Sequence, residues 1–160
     1  MLKPYPLKEH DEYAFEFVTD QGIGYVVYFL DYSVMFANYP HIAQQVFMFN
    51  IDVIKGSPDQ SVSDERIGLT VLEVFKLFFQ NSKNVAVYIC DIEAERQLSR
   101  KRKFDFWFWK YNDGTLIKED DMAIVNGIEI YNSMILHKKN EHLREIILAY
   151  KELNEKGGEK

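Results

Sequence analysis

Five cations, Arg96, Arg100, Lys101, Arg102 and Lys103, stand before five rings, Phe104, Phe106, Trp107, Phe108 and Trp109, in the stretch YICDIEAERQLSRKRKFDFWFWKYN (88–112). Guanidinium groups hold carboxylates or phosphates through paired hydrogen bonds, and rings can stack on a base or on the guanidinium itself. With a helix starting near Ile92, Arg100 lies about 40° and Trp107 about 20° around the axis from Arg96, with Phe104 at about 80°. One reading is therefore an anion- or nucleic-acid-binding face. The plainer reading is a solvated helix. Glu93 and Glu95 come early and the Arg100–Lys103 run comes late, the order the helix dipole favours, and Glu93 and Arg96 form an i,i+3 pair. The rings at 104–109 spread from about 20° to about 280° of the circle. Such a segment is either buried on several sides or extended after residue 103. Core packing accounts for the rings without a ligand.

Asp91 follows an apolar run, VAVYIC (85–90), that reads as a central strand. Carboxylates just past such strand ends can belong to metal or phosphate sites, but the plainer reading of Asp91, favoured about four to one, is a helix cap. A metal-dependent nuclease needs further carboxylates and a lysine close by. IKEDD (117–121) supplies Lys118, Glu119, Asp120 and Asp121, but without the spacing of such a site. Cys90 has no evident base beside it in sequence and reads as a buried structural residue. The histidines at 10, 41, 137 and 142 are too scattered for metal-ligand spacing. DQGIGY (20–25) lacks the ending of a phosphate loop. No catalytic residue, metal ligand or cofactor is assigned from sequence. The binding candidates are Arg96, Arg100, Arg102, Trp107 and Asp91.

The elements that must position these residues follow from periodicity. YAFEFV (13–18), YVVYFLDY (25–32) and QVFMFNIDV (45–53) have strand character, the first pair joined by a glycine-containing link. Residues 33–44 show no clear period. Ile67, Val71, Val74, Phe75 and Phe78 have helical spacing, with Ser63 or Asp64 as cap; Gly68 inside that helix costs about 1 kcal/mol relative to alanine. VNGI (125–128) carries the Asn-Gly pair of a type I′ hairpin turn, which would pair Ala123–Val125 with Ile128–Ile130. Leu143, Ile146, Ile147, Tyr150 and Leu153 form the apolar stripe of a last helix, with Asn140 as cap.

The order is β-β-β-α-β-α-β-β-α. This implies an α+β fold, a mainly antiparallel sheet of about six strands with three helices on one face. Residues 1–12 read as a flexible arm, 13–154 as a single domain and 155–160 as a frayed tail.

The chain has 160 residues, enough for one domain with a sizeable core. Its 12 Phe and 10 Tyr favour a substantial sheet. The net charge of −6 argues against a general nucleic-acid binder. The single cysteine allows no intrachain disulfide and fits a reducing compartment. Neither a secretory leader nor a membrane span is visible, so a soluble cytoplasmic protein is expected.

YAFEFVTDQGIGYVVYF, DERIGLTVLEVFKLFF, VYICDIEAERQLSRKRKFDFWF, the hairpin and the last helix together resemble a family of small bacterial proteins known only as a domain of unknown function. The resemblance runs over about residues 13–153. It implies a complete domain and supplies no chemistry. Three functions compete. The favoured one is a non-catalytic protein-interaction module of regulatory or immunity type, with another protein as partner, in keeping with the acidic charge and the many Tyr residues. A nucleic-acid or nucleotide-binding module would use the basic-aromatic helix face. A metal-dependent hydrolase or nuclease would centre on Asp91.

Overall fold

The computed structural model describes residues 1–59, 62–90 and 94–157, with backbone alone for 94–101. In chain order the strands are β1 (Lys8–Asp11), β2 (Ala14–Val18), β3 (Gly24–Asp31), β4 (Val46–Lys55), β5 (Val85–Ile89), β6 (Leu116–Val125) and β7 (Ile128–His137). The helices are α1 (Pro40–Ala43), α2 (Glu65–Phe78), α3 (Ala94–Tyr111) and α4 (Leu143–Glu155), with a 3₁₀ turn at Ser33–Phe36. Among the described residues no helix is long and apolar enough to cross a membrane.

The strands form one mixed sheet in the order β1-β2-β3-β4-β5-β7-β6. All pairs are antiparallel except β4 with β5. The α+β class holds, but the sheet has seven strands, not six. The seventh is β1, from the segment read as an arm. Its four residues, KEHD, are all exposed. A charged edge strand resists pairing with other chains, and it needs only backbone partners to form, so its side chains carry no strand pattern. Tyr5, also in that segment, is buried. Its amide donates to Thr70 Oγ1 at 2.8 Å and its hydroxyl to Asp64 Oδ2 at 2.5 Å.

The Asn126-Gly127 turn has positive φ at both residues, 52° and 78°, as a type I′ turn requires. Val125, Ile124 and Ala123 pair with Ile128, Glu129 and Ile130. The ladder then continues to Leu116 and His137, well beyond the apolar residues nearest the turn.

Helices cover both faces of the sheet, not one. On the first face, α2 and α3 pack over Phe15, Phe17, Val27, Phe29, Phe49 and Ala86. On the second, the 3₁₀ turn, α1 and α4 pack over Val46, Val85, Val87, Met134 and Leu136. The cause lies in β5 and β7. Val85, Ala86 and Val87 are all buried, as are residues 132–136, and an unbroken buried run demands cover on both sides. A fourth, short helix, α1, lies in the stretch that has no period in sequence.

Candidate functional site

α3 stays helical through its aromatic run to Tyr111, so the extended alternative for residues after 103 does not apply. The rings sort by face. Phe104 and Phe108 are buried, and Trp107 and Tyr111 pack half-buried against the same core. Phe106 and Trp109 project outward, 49% and 78% exposed. Asp91 and the side chains of Arg96 and Arg100 lie outside the described residues. Of the expected trio Arg96, Arg100 and Trp107, only Trp107 can be placed. Its ring is part of the packing between helices: a Cβ added at Gly68 would lie 2.4 Å from Trp107 Cδ1. The glycine that weakens α2 as a helix makes room for the indole.

Trp107 and Arg102 line a cleft of about 770 Å³ at the carboxyl ends of the parallel pair β4 and β5. Tyr25, Phe49, Ile51 and Tyr88 line it from the sheet, and Phe104, Phe106, Trp107 and Tyr111 from α3. Tyr88 stacks on Phe104 with centroids 4.8 Å apart, and Phe49 lies 5.6 Å from Tyr88 and 5.7 Å from Phe104. The described lining carries four carboxylates, Asp52, Asp59, Asp64 and Glu65, against two cations, Arg102 and Lys103. Ligands of open α/β sheets gather at this end of parallel strands, because the loops there diverge above a rigid base.

The N-terminus of α2 organises the acidic rim. Asp64 caps the helix by accepting from the Arg66 amide at 3.0 Å. The Arg66 guanidinium lies 3.8 Å over the Tyr5 ring and pairs with Asp20 at 3.1 Å. Glu65 accepts from Lys110 Nζ at 3.1 Å, tying α3 to α2. That hydrogen bond holds the ammonium above its ordinary range. Burial, then the charge of Asp64, raises the Tyr25 phenol. Sequence reasoning missed Tyr25, Asp52 and Glu65 as lining residues. The available signal was the strand–helix–strand succession at 45–53, 64–80 and 85–90, which suits a parallel crossover.

The carboxylates of IKEDD do not converge. Strand alternation splits them between two faces. Lys118, only 7% exposed, pairs with Asp105 of α3 at 2.5 Å and with Asp120, which also accepts from Ser133 Oγ at 2.6 Å. Glu119 and Asp121 instead face Lys151 of α4, each at 3.9 Å. A lysine already sits among the carboxylates on the inner face and supplies their countercharge. Cys90 is buried, 1% exposed. Chain distance misleads for two of the four histidines: the rings of His41 and His142 lie 5.3 Å apart.

No curated protein matches the chain. A family model does match, over residues 63–152, from the N-terminus of α2 through most of α4 and so over the helical side of the cleft. That is more than half of the chain, and the protein belongs to the Family of unknown function (DUF6169).

Proposed function

We propose that the protein is a non-catalytic interaction module whose cleft takes a short, basic, apolar-tipped segment of another protein. The observation that carries this reading is the lining of the cleft: seven aromatic rings, of which Phe49, Tyr88 and Phe104 touch one another, under a rim where, among the described residues, carboxylates outnumber cations two to one. Aromatic side chains supply large contact areas at low entropic cost and are enriched where proteins meet. Phe106 and Trp109, with centroids 6.2 Å apart, extend the apolar surface outward from the cleft mouth. The overall charge of −6 favours approach of a cationic partner. A nucleic-acid strand would bring its phosphates against the same four carboxylates, which argues against the basic-aromatic alternative.

The test is selection of peptides from a random displayed library by the folded protein near physiological salt. The expected winners combine Lys or Arg with an aromatic or large aliphatic residue. Phe106→Ala and Asp52→Lys should each weaken the best peptide by about tenfold or more. Failure to enrich any sequence, or enrichment indifferent to both substitutions, would overturn the reading. So would a single-stranded oligonucleotide that binds tighter than any peptide and weakens steeply with salt.

A further inference from the structure

A second constellation lies on the opposite face of the sheet. α1 follows the 3₁₀ turn, with Pro40 as its first residue, and presents His41. Ile42, Ala43 and Phe36 are buried in the same core as Ile146, Ala149 and Tyr150 of α4. This packing sets α1 against the first half of α4. Tyr39 adds a hydrogen bond to Glu152 at 3.3 Å.

His142 stands at the N-cap of α4, yet its side chain does not cap the helix. Its amide donates instead to Asn140 Oδ1 at 2.8 Å. The imidazole therefore turns toward Glu145, one turn along the helix. His142 Nδ1 lies 3.7 Å from Glu145 Oε2, and His41 Nε2 lies 2.6 Å from Glu145 Oε1. One donor atom from each of the three residues falls within 4.8 Å of the others.

We propose that His41, His142 and Glu145 form a site for a divalent transition metal, Zn²⁺ foremost. Two imidazoles and one carboxylate suit zinc, copper or nickel. Magnesium and calcium prefer oxygen ligands. Metal–ligand bonds of about 2.0–2.2 Å put neighbouring ligand atoms a little over 3 Å apart. Small side-chain rotations reach that spacing from the present one, the short His41–Glu145 contact opening and the others closing. The metal takes the place of the direct contact between His41 Nε2 and Glu145 Oε1. Glu141 Oε1, 3.6 Å from His142 Nε2, is placed to accept the proton on the ring nitrogen that does not bind metal, an orienting partner typical of metal-bound histidine. Three protein ligands leave a fourth position for water. All three residues are partly exposed, so the ion has a path in. Once bound, it clamps α1 to α4.

The experiment uses the full chain, free of any histidine tag and stripped with chelator, titrated calorimetrically with ZnCl₂ near neutral pH. One ion per chain is expected, with no binding of MgCl₂. A hundredfold excess of free Zn²⁺ over Kd should raise the Tm by roughly 5–10 °C. His41→Ala, His142→Ala and Glu145→Gln should each raise Kd by at least about tenfold. His10→Ala, which removes a histidine that pairs with Glu16 at 2.5 Å on the edge strand β1, should change nothing. Co²⁺ bound to the unsubstituted protein should show the intense visible bands of four- or five-coordination, a readout that depends on no variant folding. Absence of Zn²⁺ binding, binding that survives both histidine substitutions, or a weak six-coordinate Co²⁺ spectrum overturns the proposal.

Discussion

Trp107 occupies the space that Gly68 leaves on α2. The ring atoms Cδ1, Cγ and Nε1 would lie 2.4, 2.6 and 2.8 Å from an added Cβ. Two effects of Gly68→Ala oppose each other. Alanine favours the helix by about 1 kcal/mol, while forcing a packed indole aside costs about 1–3 kcal/mol. The clash falls on Cγ and Cδ1, at the base of the ring, so the indole cannot yield by moving its far end alone and the packing cost should win. Urea unfolding of Gly68→Ala is expected to show a net loss of about 1–2 kcal/mol. Trp107 fluorescence, read in a Trp109→Phe background, should shift to the red. A variant more stable than the parent would show that the indole does not need this seat. The sequence alone flags Gly68 as a helix cost and Trp107 as a possible binding ring. Nothing local links them, because they are 39 positions apart (107 − 68) and meet only through the α2–α3 crossing.

At the scale of elements, what is local was legible and what is long-range was not. The stripe of α4, the Asp64 cap and the Asn-Gly turn each depend on residues within a few positions of one another, and each stands where sequence patterns put it. The parallel β4–β5 pair and the N-terminal segment depend on partners tens of residues away. That segment has structural consequences. Tyr5 is buried against α2, holds Asp64 through its hydroxyl and lies under Arg66, whose Nε donates to the Lys3 carbonyl at 2.8 Å. Tyr5→Phe removes two hydrogen bonds, the one donated to Asp64 and a longer one accepted from the Asp20 amide at 3.3 Å, and should cost about 1–2 kcal/mol. Tyr5→Ala also opens a cavity beside Phe17 and should cost about 3–5 kcal/mol. Denaturant midpoints for the two variants separate the contributions. If Tyr5→Ala falls within about 0.5 kcal/mol of the parent, the segment is a loose arm after all. The candidate site divides in the same way. Trp107 and Arg102 were nameable from one stretch of chain, but Tyr25 and Asp52 reach the cleft only through the sheet, and Glu65 only through the packing of α2 beside it.

For the molecule as a whole, the aromatic content has a consequence in alkali. Seven of the ten tyrosines, at 5, 13, 25, 28, 32, 39 and 150, have their phenols raised above the ordinary value of 10.0. Burial is the main cause for six of them, and for Tyr28 it is the hydrogen bond to Asp52. Tyr150 is raised furthest: burial comes first, then the charges of Asp121 and Asp120, while its hydroxyl donates to Asn132 inside the second core. A phenol whose folded pKa exceeds its unfolded pKa favours the folded state while it stays protonated. This contribution is fully present below pH 10 and is lost as pH climbs from there through the raised folded values, because the unfolded chain releases its protons first. The net charge, already −6 at neutrality, grows more negative over the same range and adds self-repulsion. Raising the pH while recording tyrosinate absorbance and far-ultraviolet circular dichroism together should therefore show the seven raised phenols ionising above pH 10 in a steep step that coincides with loss of the circular dichroism signal. Smooth titration of all ten near pH 10, with the signal unchanged, would mean that both cores admit phenolate, against the close packing that buries Tyr150 of α4 against Asn132 of β7.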